Sequence, residues 1–212
     1  MLVTSGEIAA LEPLMQALKD ENQEIRKDAA MALGRFGDVR AIASLVDALK
    51  DTYVYVRFEA AIALGYIKDI RSVKPLVKAF TGALKNGDDT LLYAAINSLV
   101  KLGDLSVSAL SQAFNAEDIM LCNWIIPTLA RIYSSRALEA LINLLKDENN
   151  DLWLHIIIYL IDFEDELVLS TLTRLYETSS NKVIIRAVSD AIKFLQTGEK
   201  VDLQQYLRPQ TS

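Results

Sequence analysis

The feature that most constrains this chain is an internal repeat of about 31 residues. When the sequence is compared with itself at that shift, "EIRKDAAMALGRFGD" (24–38) aligns with "YVRFEAAIALGYIKD" (55–69). The alignment continues along the chain at successive spacings of 31, 35, 30, 31 and 32 residues, and the longest spacing reflects extra residues in "TGALKNGDD" (81–89). Repeats of this length are typical of solenoid proteins, in which each copy is one supersecondary unit.

Equivalent positions in the six copies are apolar at a spacing typical of a helix. Four such positions in each copy are separated by four, four and three residues, which places them on one helical face, whereas a strand would require alternation. One of these columns consists of Leu33, Leu64, Leu99, Leu129, Leu160 and Ile192. The small numbers of glycines and prolines, 8 and 4 in 212 residues, also favour helices over a turn-rich β fold.

A second helix precedes each repeated helix, and polar connectors such as "DENQ" (20–23), "DENND" (147–151) and "TSSNK" (178–182) supply N-cap residues. A helix pair this short cannot bury its apolar stripe alone, so neighbouring pairs must stack. We therefore predict an all-α fold, an α-α superhelix (solenoid) of about six helix pairs. Residues 1–198 are assigned to a single repeat domain, and residues 199–212 to a C-terminal tail that is expected to be unanchored.

The first two copies resemble a known repeat family. "EIRKDAAMALGRFGDVRAIASLVDALKD" followed by "VYVRFEAAIALGYIKDIRSVKPLVKAF" is similar to the HEAT-like repeat named after the phycobilisome lyases. Its signs are a Val/Ile-Arg pair, an Ala-Ala step, Ala-Leu-Gly and then Gly-Asp. The third copy lacks the arginine, and the fourth to sixth keep mainly the hydrophobic register. The resemblance implies a HEAT-like solenoid, and its motif residues specify the repeat rather than any chemistry.

Composition argues against several kinds of site. The net charge of −6 disfavours a general nucleic-acid binder, and a single cysteine and a single histidine exclude most metal centres. A HEAT-like enzyme resembling deoxyhypusine hydroxylase would need several His-Glu pairs to hold iron. The longest apolar run, "IIIYLI" (156–161), is too short to span a bilayer. We expect a soluble cytoplasmic protein that binds neither nucleic acid nor membrane and has no catalytic residue and no metal site.

Two positions in the repeat register, which hold Arg26, Arg57 and Cys122 in one case and His155 in the other, have expected structural roles. Arg26 and Arg57 are expected to pair with acidic residues of adjacent repeats and so to hold the register of the stack. Cys122 occupies the equivalent position in the fourth copy, where we expect a partly buried apolar filler rather than a reactive thiol. His155 is expected to make a hydrogen bond between helices, in preference to contacting a ligand.

The side of the repeated helix that points away from the core is the candidate binding surface. In the first copy this register holds Lys27, Ala30, Met31 and Gly34, but from the second to the fifth copy it is largely apolar. By resemblance to HEAT-like solenoids, these helices line the concave face. The predicted binding residues, including aromatic and arginine side chains at the rim, are Tyr55, Phe58, Ile62, Tyr66, Tyr93, Trp124, Arg131, Leu154 and Ile158. The alternative is that the solenoid curls tightly enough for these side chains to pack on one another.

Two functions fit this reading. The first is a non-enzymatic protein-binding scaffold, without a cofactor, whose concave face holds a protein segment or a homodimer mate. The alternative, implied by the resemblance, is a phycobilin lyase subunit or a phycobilisome disassembly factor that binds a bilin or a phycobiliprotein. No residue in the chain supplies an attacking group, so the first reading is preferred and an enzymatic role is limited to a component of a bilin lyase.

Overall fold

The computed structural model describes residues 5–115, 117–145, 152–163, 165–199 and 201–207. These residues form twelve α-helices and no strand, so the all-α prediction of six helix pairs is confirmed. The helices are α1 (Ser5–Ala17), α2 (Gln23–Phe36), α3 (Ile42–Ala48), α4 (Val54–Ile67), α5 (Val73–Asn86), α6 (Asp89–Leu102), α7 (Asp104–Ala113), α8 (Ile119–Ile132), α9 (Ser135–Leu144), α10 (Trp153–Leu160), α11 (Glu166–Thr178) and α12 (Lys182–Thr197). A 3-10 helix, Leu203–Leu207, follows α12 and is called the C-terminal 3-10 helix below.

Polar side chains cap four of the described repeated helices, α2, α6, α8 and α12. Asn22 caps α2 by accepting a hydrogen bond from the Glu24 backbone N–H at 2.9 Å, and Asn181 caps α12 through the N–H of Val183 at 2.9 Å. Asp88 caps α6 in the same way. The connector 147–151 lies outside the described residues. These caps fix where the capped helices start, and the apolar spacing decides which face each helix turns to the core.

The chain divides into two compact units, Met1–Ala113 and Phe114–Ser212. In the first unit the repeated helices form a stack, in which α2 packs on α4 and α4 on α6, while α3, α5 and α7 pack beside them. Leu33, Leu64 and Leu99, from one predicted core column, are completely buried. The prediction that residues 1–198 form a single domain stays a prediction.

The glycine of the Ala-Leu-Gly step shows why the stack is tight. A Cβ atom added at Gly65 of α4 would lie 2.7 Å from the Ser98 Cβ of α6, and one at Gly34 of α2 would lie 2.7 Å from the Ala63 Cα of α4. Ser98 uses the same close approach to donate a hydrogen bond to the Ala61 carbonyl at 2.8 Å. The outward register predicted from Ala30 and Gly34 in the first copy includes Ala61 and Gly65 in the second. That expectation is wrong for these small residues, because they form the contact between consecutive repeats.

In the second unit, α10 is in contact with α8, α9, α12 and the C-terminal 3-10 helix. Leu203 is only 4% exposed, and the Tyr206 hydroxyl donates a hydrogen bond to Asp190 of α12 at 2.6 Å. Part of the expected unanchored tail is thus fixed to the fold. Pro127, where the sequence predicts a kink or a new turn, lies inside α8 without ending the helix.

One predicted core position is exposed. Ile25 begins the column that continues with Val56 and Leu91, and its exposed fraction is 42%, whereas Val56 is fully buried. The physical reason lies in the order of the stack. α4 has the repeated helix α2 packed before it in the stack, whereas α2 has only α1 before it among the described elements. The first repeat therefore exposes a side chain that later repeats bury.

Candidate functional site

The candidate site in the first unit is a stripe of aromatic and aliphatic side chains along α4, continued on α6. Residues spaced by three or four positions share a helical face, which groups Tyr55, Phe58, Ile62 and Tyr66. Tyr55 and Tyr66 are 53% and 56% exposed, whereas Phe58 and Ile62 are half-buried. Tyr93 of α6, 54% exposed, stands at the position equivalent to Phe58. We call these five residues the aromatic face.

Neighbouring helices carry different chemistry in the same register. The four stripe positions are Glu24, Lys27, Met31 and Arg35 in α2, and Thr90, Tyr93, Asn97 and Lys101 in α6. Charges in the first repeat thus give way to rings in the second and to a mixed stripe in the third. The Lys101 Nζ lies 3.0 Å from the centre of the Tyr66 ring, a cation–π contact that joins equivalent positions of two repeats.

Tyr53 supports one end of the aromatic face rather than belonging to it. It occupies the N-cap position of α4, and its hydroxyl donates a hydrogen bond to Glu24 of α2 at 3.0 Å. Its ring meets the Tyr55 ring edge-on, with 5.3 Å between the centroids. Lys27, followed by Tyr53, holds the pKa of the Glu24 carboxyl below its ordinary value, because both stabilise the ionised form. The Tyr55 ring therefore lies beside Tyr53, which is itself held by α2.

The predicted site residues of the second unit do not form an equivalent surface. Arg131 is exposed, Trp124 and Ile158 are half-buried, and Leu154 is 3% exposed. Placing Leu154 on an open face is therefore a wrong expectation. α10 contacts α8, α9, α12 and the C-terminal 3-10 helix of its own unit, and Leu154 is buried there. The alternative that the predicted binding residues pack on one another in a tightly curled solenoid stays a prediction.

The expected ion pairs of the repeat motif are confirmed. Arg26 donates to Asp51 at 2.7 Å and to the Asp20 carbonyl at 2.9 Å. Arg57 repeats this arrangement with Asp88 at 2.6 Å and with the Asp51 carbonyl at 2.7 Å. Each arginine thus ties the turn before its own helix to the turn before the next one. The Arg26 guanidinium also holds the pKa of the Asp51 carboxyl below its ordinary value.

Cys122 and His155 are two further side chains of interest. The Cys122 thiol is buried and donates to the Asn115 carbonyl at 3.0 Å, so it contacts the preceding turn as the arginines do. Burial raises the pKa of this thiol, which disfavours the reactive thiolate. His155 Nδ1 is buried without a hydrogen-bond partner among the described residues, so the expected hydrogen bond is absent at that nitrogen. Burial lowers the pKa of His155, which favours its neutral form.

Sequence reasoning missed a second surface of the first unit. A groove of about 720 Å³ lies beside α3 and α5, and its edge carries Lys50, Lys74 and Lys78. Its floor is apolar, and Gly82 of α5 is part of its wall. We call it the lysine groove. The sequence signal for it is the four-residue excess of the third copy, which lengthens α5 to 14 residues where α3 has 7.

Within the described residues, no three potential ligands among histidine, cysteine and carboxylate side chains come together as a metal site. In that same part of the chain, every helix is too short or too polar to cross a bilayer. The first unit offers two surfaces for binding. One carries aromatic rings and aliphatic side chains, and the other is an apolar groove with cationic edges.

Comparison with family models identifies the repeats. A model of HEAT repeats matches residues 2–65, and a model of the PBS lyase HEAT-like repeat matches residues 56–82. No curated protein matches the chain. Both family matches fall in the first unit, where the arginine pairs and the Ala-Leu-Gly contacts are found.

Solved structures similar to the chain are helical-repeat proteins of low sequence identity. An engineered protein is 20% identical, with 89% of this chain and 97% of that chain covered and a TM-score of 0.45. The complex of CpcE and CpcF of phycocyanin lyase from Nostoc sp. PCC7120 is 22% identical over 89% of this chain and 83% of that chain, with a TM-score of 0.47. Human deoxyhypusine hydroxylase is 19% identical over 88% and 84%, with a TM-score of 0.41. None of these similarities identifies a function.

Proposed function

Because the chain is a HEAT-like repeat protein of the PBS lyase repeat type, we propose that it is a non-enzymatic binding module whose aromatic face holds an apolar segment of another protein. The observation that carries this proposal is the exposure of Tyr55, Tyr66 and Tyr93, each more than half accessible on adjacent helices. Large exposed rings on neighbouring helices are the kind of surface that marks interaction sites. Tyrosine is also enriched among the residues that contribute most to binding energy.

The composition of the aromatic face indicates the kind of segment it would hold. Phe58 and Ile62 form a half-buried apolar centre, and the hydroxyls of Tyr55 and Tyr66 lie at its edges. An amphipathic helix or an extended segment with two or three apolar side chains would cover the centre and leave the hydroxyls hydrated. Lys101 over Tyr66 adds a positive charge at one end, which favours a carboxylate in the partner at that end.

The test uses a peptide library displayed on phage, selected on the full chain. The enriched peptides are then measured by fluorescence anisotropy against the wild type and against the triple variant Tyr55→Ser, Tyr66→Ser, Tyr93→Ser. We expect the triple variant to lose at least tenfold in affinity, because three rings that dominate the contact are removed. Tyr176→Ser, at an exposed tyrosine of the second unit, is the matched control and should bind as the wild type does.

Other outcomes would change the proposal. Peptides that bind the triple variant as tightly as the wild type would show that the aromatic face is not the binding surface. Sedimentation that shows a dimer of the wild type, lost in the triple variant, would make a second copy of this chain the partner. A change in the visible absorbance of phycocyanobilin, again lost in the triple variant, would instead favour a bilin-binding role in a lyase or a phycobilisome disassembly factor.

A further inference from the structure

We infer that the lysine groove is a binding site for an amphiphilic anion, that is, a molecule with an apolar chain or ring and a single carboxylate or phosphate head. The groove has a volume of about 720 Å³, within the range of small-molecule sites. It shares no residue with the aromatic face. The inference therefore goes beyond the proposed function and can fail independently of it.

The floor of the groove suits an apolar body. Val46 and Leu49 come from the end of α3 and the turn after it, and Pro75, Ala79 and Ala83 come from α5. These side chains offer no hydrogen-bonding group, so the part of a ligand that lies on them must be apolar. α3 ends at Ala48 whereas α5 continues to Asn86, and the additional turns of α5 form the wall beside the turn that follows α3.

Gly82 of α5 is a second feature that supports a ligand in the groove. It lies inside α5, where glycine costs roughly 1 kcal/mol relative to alanine. At Gly34 and Gly65 the cost has a packing reason, because a neighbouring helix occupies the space of a Cβ atom. At Gly82 an added Cβ would meet no atom within 4 Å, so nothing in the described structure requires glycine there. A ligand that lies against the helix backbone would supply the missing reason.

The edges of the groove supply the charge. Its lining contains the cations Lys50, Arg57, Lys74 and Lys78 and the carboxylates Asp51 and Asp88, four against two, which leaves a local charge of +2 in a chain of net charge −6. Both carboxylates are held by arginines, Asp51 by Arg26 and Asp88 by Arg57. In the described part of the chain the three lysines form no ion pair. They are thus available to hold an anionic head above an apolar floor.

The test is calorimetric titration of the full chain with dodecanoate, monododecyl phosphate, dodecanol and dodecyltrimethylammonium, each below its micellar concentration. We expect both anions to bind, dodecanol to bind at least tenfold more weakly, and the cation to show no binding. The tighter of the two anions identifies the head group. Raising the salt concentration should weaken the binding of the anions, because exposed lysines are screened by salt. Equal binding of dodecanol and the anions, or no binding of either anion, would overturn the inference.

Variants test the location. Gly82→Leu should weaken anion binding at least tenfold, because its side chain enters the open space beside the helix backbone and obstructs that part of the groove. The double variant Lys74→Ala, Lys78→Ala should weaken anion binding roughly tenfold and leave the folded structure intact, since both side chains are exposed. Lys182→Ala, at an exposed lysine of the second unit, is the control that should change nothing. Unchanged binding by Gly82→Leu, with its helicity confirmed by circular dichroism, would show that the anion binds elsewhere.

Variants of each surface distinguish the aromatic face from the lysine groove. The triple tyrosine variant of the aromatic face should bind dodecanoate as the wild type does. Gly82→Leu should bind the selected peptides as the wild type does. Loss of anion binding in the triple tyrosine variant would place the anion on the aromatic face and overturn the assignment to the lysine groove.

Discussion

In the first two repeats of the first unit an arginine ties the turn before its own helix to the turn before the next repeated helix, whereas in the second unit the equivalent position of α8 holds a buried cysteine. Arg57 donates to the Asp88 side chain and to the Asp51 and Thr52 carbonyls, but Cys122 reaches one carbonyl, that of Asn115. Both units bury apolar side chains completely, for example Leu64 in the first and Ile125 in the second, so the difference between them lies in how these turns are held.

The two units also differ in which of the predicted binding side chains they leave exposed. In the first unit the small residues at the Ala-Leu-Gly step bring α4 and α6 together, and the larger rings beside that contact stay exposed. In the second unit α10 is largely apolar, and its Leu154, Ile156, Ile157 and Leu160 are buried. Among the predicted aromatic and aliphatic binding residues, Tyr55, Tyr66 and Tyr93 of the first unit are exposed, whereas those of the second unit, Trp124, Leu154 and Ile158, are half-buried or buried. The candidate surfaces therefore lie in the first unit.

The largest expected loss of stability comes from shortening a buried side chain of the C-terminal 3-10 helix, which contacts α10. Leu203→Ala should lower the free energy of unfolding by about 3 kcal/mol, because it leaves a cavity where the C-terminal 3-10 helix contacts α10 and α12. Leu167→Ala, at an exposed leucine of α11, is the matched control and should cost less than about 0.5 kcal/mol. Urea denaturation measures both. Equal losses in the two variants would show that the C-terminal 3-10 helix does not cover α10.

The next effect concerns the two kinds of glycine in the first unit. Gly65→Ala should destabilise the chain by roughly 2 to 3 kcal/mol, because its Cβ would lie 2.7 Å from the Ser98 Cβ and α4 must move away from α6. Gly82→Ala should stabilise it by about 0.5 to 1 kcal/mol, because alanine is the better helix former and the space is open. The same substitution thus has opposite signs in adjacent helices. A destabilising Gly82→Ala would mean that α5 needs its glycine for the fold.

Substitution of Arg57, or of Cys122 at the equivalent position, should reduce the free energy of unfolding by smaller amounts. Arg57→Ala should cost about 2 kcal/mol, since it leaves Asp88 without its partner and two backbone carbonyls without their donor. Cys122→Ala should cost about 1 kcal/mol, for one weak hydrogen bond and one buried sulfur atom. Thermal unfolding of both variants gives the comparison. If Cys122→Ala cost as much as Arg57→Ala, the thiol would be as important to its turn as the arginine is to its own.

Periodicity was sufficient to predict the helices and their pairing. Columns such as Leu33, Leu64 and Leu99 recur at one spacing, so a single self-comparison identifies the core face of every copy. The outward face was harder to predict, because a helix in a stack also contacts the helices before and after it. Ala61 and Gly65 lie on such a contact, and their small size was the sequence signal for it. The side chains that do point outward, Tyr55 and Tyr66, were assigned only to the rim.

Cover by distant segments was beyond the sequence pattern. Leu154 has the register of an outward position, and only the three-dimensional path of the chain brings the C-terminal 3-10 helix onto α10. The lysine groove was missed for a similar reason. The three lysines are 4 to 28 residues apart in the sequence, and what unites them is the unequal length of α3 and α5. A repeat pattern describes what the copies share, whereas both surfaces arise from what one copy has and its neighbours lack.

The smallest expected effect is a difference in pH dependence between the units. Arg26 lowers the pKa of Asp51 below its ordinary value of about 3.8, so this pair stabilises the first unit fully above that pH. Its contribution is lost as the pH falls through the lower pKa of the folded state, because protonation then removes the charge that Arg26 binds. Burial lowers the pKa of His155 below about 6.5. The unfolded chain therefore takes up this proton first, and stability begins to fall below pH 6.5.

Urea denaturation between pH 8 and pH 3 separates the two contributions. His155→Gln should flatten the profile from pH 6.5 down to the pKa of the folded state and leave the region below pH 4 unchanged. Arg26→Gln should instead flatten the profile below about pH 3.8 and leave its slope near pH 6 unchanged. Each change should amount to about 1 kcal/mol or less, because both groups keep some contact with water. If His155→Gln left the profile unchanged near pH 6, the histidine would have to be as well solvated when folded as when unfolded. The two units would then differ in how their turns are tied but not in the pH at which they weaken.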